Sequence, residues 1–166
     1  MHLYFLRHGA AEEHHAGQRD ADRHLTSEGR AEMQAAAAGL AALDPRIDAI
    51  YSSPLARALE TAQIAAKALG LREDKIRLEE RLAAGNLRLG SLQSLLASQP
   101  SSARILLVGH EPDFSMVVGQ LIGGGAVEIK RGGLARVEAV RLEPGGGVLR
   151  WLLTPQHLFL RSQESR

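Results

Sequence analysis

Two histidines and two arginines carry most of the chemistry this sequence can do. Arg7 and His8 stand before Gly9 at the end of the apolar run Leu3-Tyr4-Phe5-Leu6. Arg57 follows Ser52-Ser53-Pro54, and His110 follows a second apolar run at 104–108 and Gly109. Gathered in one place, Arg7, His8, Arg57 and His110 would form a compact cationic pocket whose natural ligand is a tetrahedral dianion, and phosphate fits best. Arginine supplies forked donors that match phosphate oxygens. A neutral imidazole adds a nucleophilic nitrogen at neutral pH, so one histidine could attack phosphorus while the other groups hold the equatorial oxygens.

Those residues work together only if the fold converges them. The run 3–6 reads as a buried central strand, with Arg7-His8-Gly9 at its carboxyl end. Residues 10–24 carry charges of both signs and three histidines without helical period, which predicts a surface loop. Thr26 or Ser27 can cap a first helix, with Glu28 in its first turn. Met33, Ala36, Ala37, Leu40 and Leu43 make one apolar stripe before Asp44-Pro45 stops it.

A second strand is expected at 47–51. A helix should follow at 54–69, with Ser53 as N-cap, Pro54 at its first position and Gly70 as its stop. Short strand character at 76–78, a leucine-rich helix at 89–96, a strand at 104–108 and a helix at 114–122 come next, and Gly123-Gly124-Gly125 ends that helix. Alternation at 136–142 and 148–153 around Pro144-Gly145-Gly146-Gly147 predicts an antiparallel hairpin. Strands alternating with helices imply a three-layer α/β/α sandwich with a mostly parallel central sheet and a C-terminal antiparallel hairpin. Ligands in such sheets lie beyond the carboxyl ends of the strands, where His8, Arg57 and His110 would meet. One domain over 1–160 is expected, with 161–166 as a frayed tail.

The chain has 166 residues, 20 Lys plus Arg against 19 Asp plus Glu, and no cysteine. A net charge of +1 is too balanced for a general nucleic-acid binder. Without cysteine there is no disulfide, zinc ribbon, iron–sulfur cluster or thiol nucleophile. No apolar stretch reaches the roughly 20 residues that span a bilayer, and no basic leader precedes the first strand, so a cytoplasmic protein is expected.

Leu6-Arg7-His8-Gly9 resembles the Arg-His-Gly signature of the histidine phosphatase superfamily, also called phosphoglycerate mutase-like. Residues 52–62 resemble that family's second block and 108–112 its third, in the family's order. Within the superfamily the chain is similar to the short SixA-type phosphohistidine phosphatases. Residues 20–29 resemble that group's D-x-x-R-x-L-T-x-x-G stretch, Glu80 stands in a matching segment that ends at Gly85, and Lys130-Arg131-Gly132-Gly133 precedes the terminal hairpin. The resemblance implies that His8 becomes phosphorylated and that water then releases orthophosphate. It implies roles for Arg7, Arg57 and His110 around the transferring group, for Glu80 as acid or base, and for Glu111 and Arg23 in binding substrate. No cofactor or metal is implied. The expected partner is a phosphorylated histidine-containing phosphotransfer or phosphocarrier protein, with phosphate or sulfate able to occupy the pocket. The sequence departs from the commoner start in having Ala10-Ala11-Glu12 where a hydroxyl residue usually follows the glycine.

Plainer readings stand beside these. His14, His15 and His24 could bind a metal or simply border a solvated loop, which their spacing favours. Ser53 reads as a cap rather than a nucleophile, and Trp151 as core. A phosphatase for small phosphate esters, a noncatalytic phosphate-binding module and a phosphoglycerate mutase are the alternative functions.

Overall fold

The structure, a computed structural model, describes residues 1–43 and 46–164. Its elements run β1 (His2–Arg7), α1 (Ser27–Leu43), β2 (Ala49–Ser52), α2 (Ala56–Ala68), β3 (Ile76–Leu78), α3 (Leu89–Leu96), β4 (Arg104–Gly109), α4 (Asp113–Leu121), β5 (Leu134–Ala139), β6 (Gly147–Leu153) and α5 (Pro155–Glu164). Among the described residues the strands form one six-stranded sheet in the order β3-β2-β4-β1-β5-β6. β1 and β2 each pair in parallel with β4, β3 pairs in parallel with β2, and β5 and β6 are antiparallel. This is the expected three-layer sandwich.

The pleat explains the layers, because successive side chains on a strand point to opposite faces. Leu3 and Phe5 of β1, with Ile105 and Leu107 of β4, pack under α3 and α4 against Leu92, Leu96, Phe114 and Val118. Tyr4, Leu6, Leu106 and Val108 point the other way, onto Met33, Ala37 and Leu40 of α1 and Ala58, Ala62 and Ala65 of α2. Covered on both faces, these strands read as continuous apolar runs rather than alternations.

Two expectations need correction. The helix expected at 54–69 begins at Ala56, because Leu55 is still extended and Ser53 Oγ accepts the Leu55 amide proton from outside the helix. Its C-terminus is as expected: Gly70 has φ +68°, and the Gly70 and Leu71 amides bond the carbonyls of Lys67 and Ala66 in a Schellman arrangement. The tail expected to fray from 161 is instead helical through Glu164 as part of α5. Thr154 caps that helix by accepting the His157 amide at 3.4 Å and Pro155 opens it, a start signal the sequence reading passed over. Among the described residues of α5 only Leu158 is fully buried, so its apolar pattern is thin. It packs closely on α1: a Cβ on Gly39 would lie 2.0 Å from the Leu158 carbonyl oxygen. The stop expected at Asp44-Pro45 and the last two tail residues lie outside the described residues.

Candidate active site

The sheet topology brings three strand ends side by side. In the β1–β4 pairing Arg7 stands opposite Gly109, and in β2–β4 Ser52 stands opposite Val108. The chain then continues as His8, His110 and Ser53, still joined by the His8 amide to the Gly109 carbonyl at 3.1 Å and the Ser53 amide to the Val108 carbonyl at 2.9 Å. Because β1 and β2 flank β4, the chain leaves in both directions there and opens a cleft. The glycine after His8 is tightly enclosed: its amide donates to Thr61 Oγ1 at 3.3 Å, and Ala10 packs so close to α1 that a Cβ on Gly29 would lie 2.1 Å from its carbonyl oxygen.

His8 is oriented by its neighbour. Its Nδ1 lies 2.8 Å from the Gly9 carbonyl oxygen, which can only accept, so Nδ1 carries the proton and Nε2 carries the lone pair. Arg57 Nε stands 3.4 Å from that Nε2 and donates to it. Burial, helped by the charges of Arg57, Arg7 and Arg131 and opposed by the bond to Gly9, pushes the His8 pKa down to about 4. At neutral pH the imidazole is therefore uncharged, with its lone pair facing the cations.

His110 is 3% exposed, and its ring centroid lies 5.0 Å from that of His8. Its Nε2 is 2.8 Å from Ser53 Oγ, while its Nδ1 is buried without a partner among the described residues. Burial first, then the charges of neighbouring groups, lowers its pKa to about 3. Ser53 Oγ already accepts the Leu55 amide proton, so its own hydroxyl can donate to Nε2, which leaves the proton of the neutral ring on Nδ1. Ser53 is thus more than a turn residue. No sequence signal separates that role from a cap, because it depends on a strand 57 positions away.

Arg57, only 5% exposed, is gripped from the far side of the cleft. Its Nη1 donates to the Asp20 backbone oxygen at 2.8 Å and its Nη2 to Asp20 Oδ2 at 2.9 Å. Asp20 opens a 3₁₀ turn, Asp20–Asp22, within the expected loop, and its other carboxylate oxygen accepts from Arg23 Nη1 at 2.8 Å. Burial works against the charged Asp20 carboxylate, but the hydrogen bonds from Arg23 and Arg57 prevail and lower its pKa. Arg23 also holds the Glu12 carbonyl through Nε at 2.8 Å. Its described contacts therefore position the loop. In the sequence Asp20 and Asp22 read as loop caps more readily than as ligands; in the fold Asp20 anchors a buried guanidinium.

Arg7 lies in the same region, its Nη1 donating to the Ile129 carbonyl at 2.9 Å and its Nε buried without a partner among the described residues. Glu111, next to His110, has a buried Oε1 that is likewise unpartnered, while its Oε2 accepts from the Ser115 amide at 3.4 Å. Burial raises the Glu111 pKa against the pull of Ser115 and Arg7. Glu80 differs. It is exposed, and its carboxylate makes no hydrogen bond or ion pair among the described residues, although its backbone carbonyl accepts from Asn86 Nδ2 at 3.0 Å. His24 is tied to Glu60 rather than to His14 or His15, and no cluster among the described residues could hold a metal ion.

A neutral, oriented imidazole nitrogen facing Arg57 and within the field of Arg7, beside a second buried imidazole, is an arrangement for taking up a phosphoryl group. The histidine phosphatase superfamily (branch 1) model matches residues 3–88, more than half of the chain. The chain belongs to that superfamily, and phosphatase activity is the chemistry that membership supports. The matched segment carries His8, Arg57 and Glu80, while His110 and Glu111 lie beyond it. An uncharacterised protein of Picosynechococcus sp. is 35% identical over 118 residues, 68% of each chain. The fold resembles that of the protein histidine phosphatase SixA complexed with tungstate, with a TM-score of 0.83 at 24% identity over 95% of this chain and 99% of that one. It also resembles an Agrobacterium tumefaciens protein provisionally assigned as a SixA phosphohistidine phosphatase, with a TM-score of 0.77, 29% identity, and coverage of 93% and 97%. No described helix is long and apolar enough to cross a membrane.

Proposed function

We propose that this chain is a phosphatase acting through a phosphohistidine on His8, and that its substrate is a phosphohistidine on a phosphotransfer or phosphocarrier protein. The observation that carries the chemistry is the His8 tautomer: Nδ1–H spent on the Gly9 carbonyl at 2.8 Å, Nε2 free toward Arg57. The lone pair of Nε2 attacks phosphorus as the bond from phosphorus to the leaving nitrogen breaks, and the leaving imidazole takes up a proton. The phosphorylated His8 ring is then a cation whose Nδ1–H still points at a carbonyl dipole. Water attacks the same phosphorus, the P–Nε2 bond breaks, dihydrogen phosphate leaves and neutral His8 is restored. Arg7 Nε and His110 Nδ1, both buried and unpartnered, supply donors for the equatorial oxygens, where charge stabilisation contributes most to phosphoryl transfer.

The likeness in fold to a histidine phosphatase and the open groove beside Arg7 support a protein substrate, which needs room that an enclosed small-ester site does not. A phosphorylated phosphotransfer domain offered beside a panel of small phosphate esters tests the reading. The expected result is a higher kcat/KM for the protein, with acid-labile phosphate trapped on His8 and none on the His8→Ala variant. Turnover by His8→Ala equal to the parent overturns the mechanism, and a higher kcat/KM for an ester overturns the substrate.

A further inference from the structure

Most cations around this site have a described partner, and Arg131 has none. Arg57 is held by Asp20, Arg7 by the Ile129 carbonyl, and Lys130 by Glu128. Arg131 is exposed and makes no hydrogen bond or ion pair among the described residues. Its position is nevertheless fixed by the backbone around it. Gly132 donates to the His8 carbonyl at 3.1 Å, the Arg7 amide donates to the Gly133 carbonyl at 3.1 Å, and Gly133 closes the turn onto the Lys130 carbonyl at 2.7 Å. Gly132 needs its φ of +66° here, and a Cβ on it would meet Met33 Sδ at 2.9 Å. The turn is thus pinned to the backbone of the nucleophile itself, and the Arg131 charge is felt at both His8 and Arg7.

Arg131 faces an open groove of about 600 Å³ that starts at Arg7 and runs between this turn and the start of α5, with Lys130, Glu32, Thr154 and Gln156 among its lining residues. Resting on the reading of the cluster as a phosphoryl site, we propose that Arg131 determines specificity by receiving a carboxylate on the body of the substrate, beyond the transferred phosphoryl group. The phosphoryl group already has Arg7, Arg57 and His110, so a further unpaired guanidinium along the groove suits a second anion. Glu32 on the α1 side would repel a dianion such as another phosphate more than a singly charged carboxylate. A carboxylate accepts two parallel hydrogen bonds from one guanidinium, a geometry lysine cannot reproduce.

Calorimetric titration of the protein with inorganic phosphate and with phosphonoacetate, which adds one carboxylate, separates the two anion sites. Arg131→Ala is expected to lose about fivefold more affinity for phosphonoacetate than for phosphate, the size typical of an exposed ion pair, with Arg131→Lys losing less. Equal losses for both ligands, or no loss for either, overturn the proposal. If the unaltered protein binds neither anion, the phosphoryl site itself is wrong.

Kinetics then locate the carboxylate. A coupling between Arg131→Glu and neutralised acidic residues flanking the phosphohistidine, seen as a KM effect larger than the kcat effect, places it on a protein. If the protein is not a substrate and Arg131→Glu discriminates O-phosphoserine from phosphoethanolamine, the proposed protein substrate fails while the role of Arg131 stands. No such discrimination in either case overturns the role as well.

Discussion

The two walls of the cleft are built in opposite ways. One wall is made by strand ends: His8, Ser53 and His110 follow β1, β2 and β4, whose strands are held in register by parallel pairing between two apolar layers. The other is made by the loop at 10–26, where Asp20, Arg23 and Glu12 hold one another by hydrogen bonds and reach in to the buried Arg57. Burial does the electrostatic work on the first wall, keeping both imidazoles neutral. Paired charges do it on the second, keeping the Asp20 carboxylate ionised. The proposed nucleophile thus sits on the strand-end wall, and the loop wall aims one arginine.

If that division is right, the strand-end wall should be the less forgiving. Replacing His110 by Ala removes a buried imidazole whose ring centroid lies 5.0 Å from that of His8, and kcat should fall by about 10²–10³-fold, the usual cost of deleting one preorganised donor. Single-turnover kinetics on an aryl phosphate checks this, and a loss under tenfold would remove His110 from the chemistry. Asp20→Asn keeps the backbone oxygen that accepts from Arg57 Nη1 and removes the carboxylate charge that meets Arg57 Nη2 and Arg23 Nη1. A fall in kcat of about tenfold is expected, within the range for one charge-assisted hydrogen bond, with the thermal midpoint little changed because Asp20 is exposed. An effect of Asp20→Asn as large as that of His110→Ala would abolish the distinction between the walls.

The pH dependence of the two walls should also differ. The folded pKa values of His8 and His110, about 4 and about 3, lie below the ordinary 6.5. The unfolded chain therefore binds more protons than the folded one as pH falls below 6.5. The stability these rings contribute is fully present above pH 6.5 and is lost progressively as pH falls toward 4 and below. Chemical denaturation between pH 7 and pH 4 should show that decline, and His110→Gln should flatten part of it. For the same reason the acid limb of kcat/KM, set by protonation of the His8 nucleophile, should fall nearer pH 4 than pH 6.5. A limb at 6.5 would mean that His8 is not desolvated in the working enzyme.

The same contrast explains what the sequence discloses. Apolar runs at 3–6 and 104–108, each followed two residues on by a histidine, make the strand-end wall legible because burial on both faces and a parallel register leave a mark in residue type. Arg57 is legible through the helix that follows β2. Asp20 is not, because an acidic residue in a polar loop looks like any other until the fold sets it 37 positions away against a buried guanidinium. Ser53 hides differently: serine before proline has a sufficient local explanation, and only β4 reveals the second. The helix α5 escapes because one buried leucine makes no stripe, although Thr154-Pro155 marks its start.

The smallest expected effect decides which carboxyl serves the leaving group. The resemblance points to Glu80, whose carboxylate is exposed and has no described contact with His8 or His110. Glu111 is adjacent to His110, carries a buried unpartnered oxygen, and is held toward its protonated form by burial. A donor must be protonated and within reach of the departing atom, and an imidazole leaving group demands that proton less than an alkoxide does. Glu80→Gln is therefore expected to change kcat by less than about threefold on any substrate. Glu111→Gln should lower it by about tenfold or more on an alkyl phosphate and by less on phosphohistidine. Steady-state kinetics of both variants on both substrate types measures this directly. A loss confined to Glu80→Gln would show that the Glu80 carboxylate comes within reach of the substrate during turnover and would transfer the proton to that side chain.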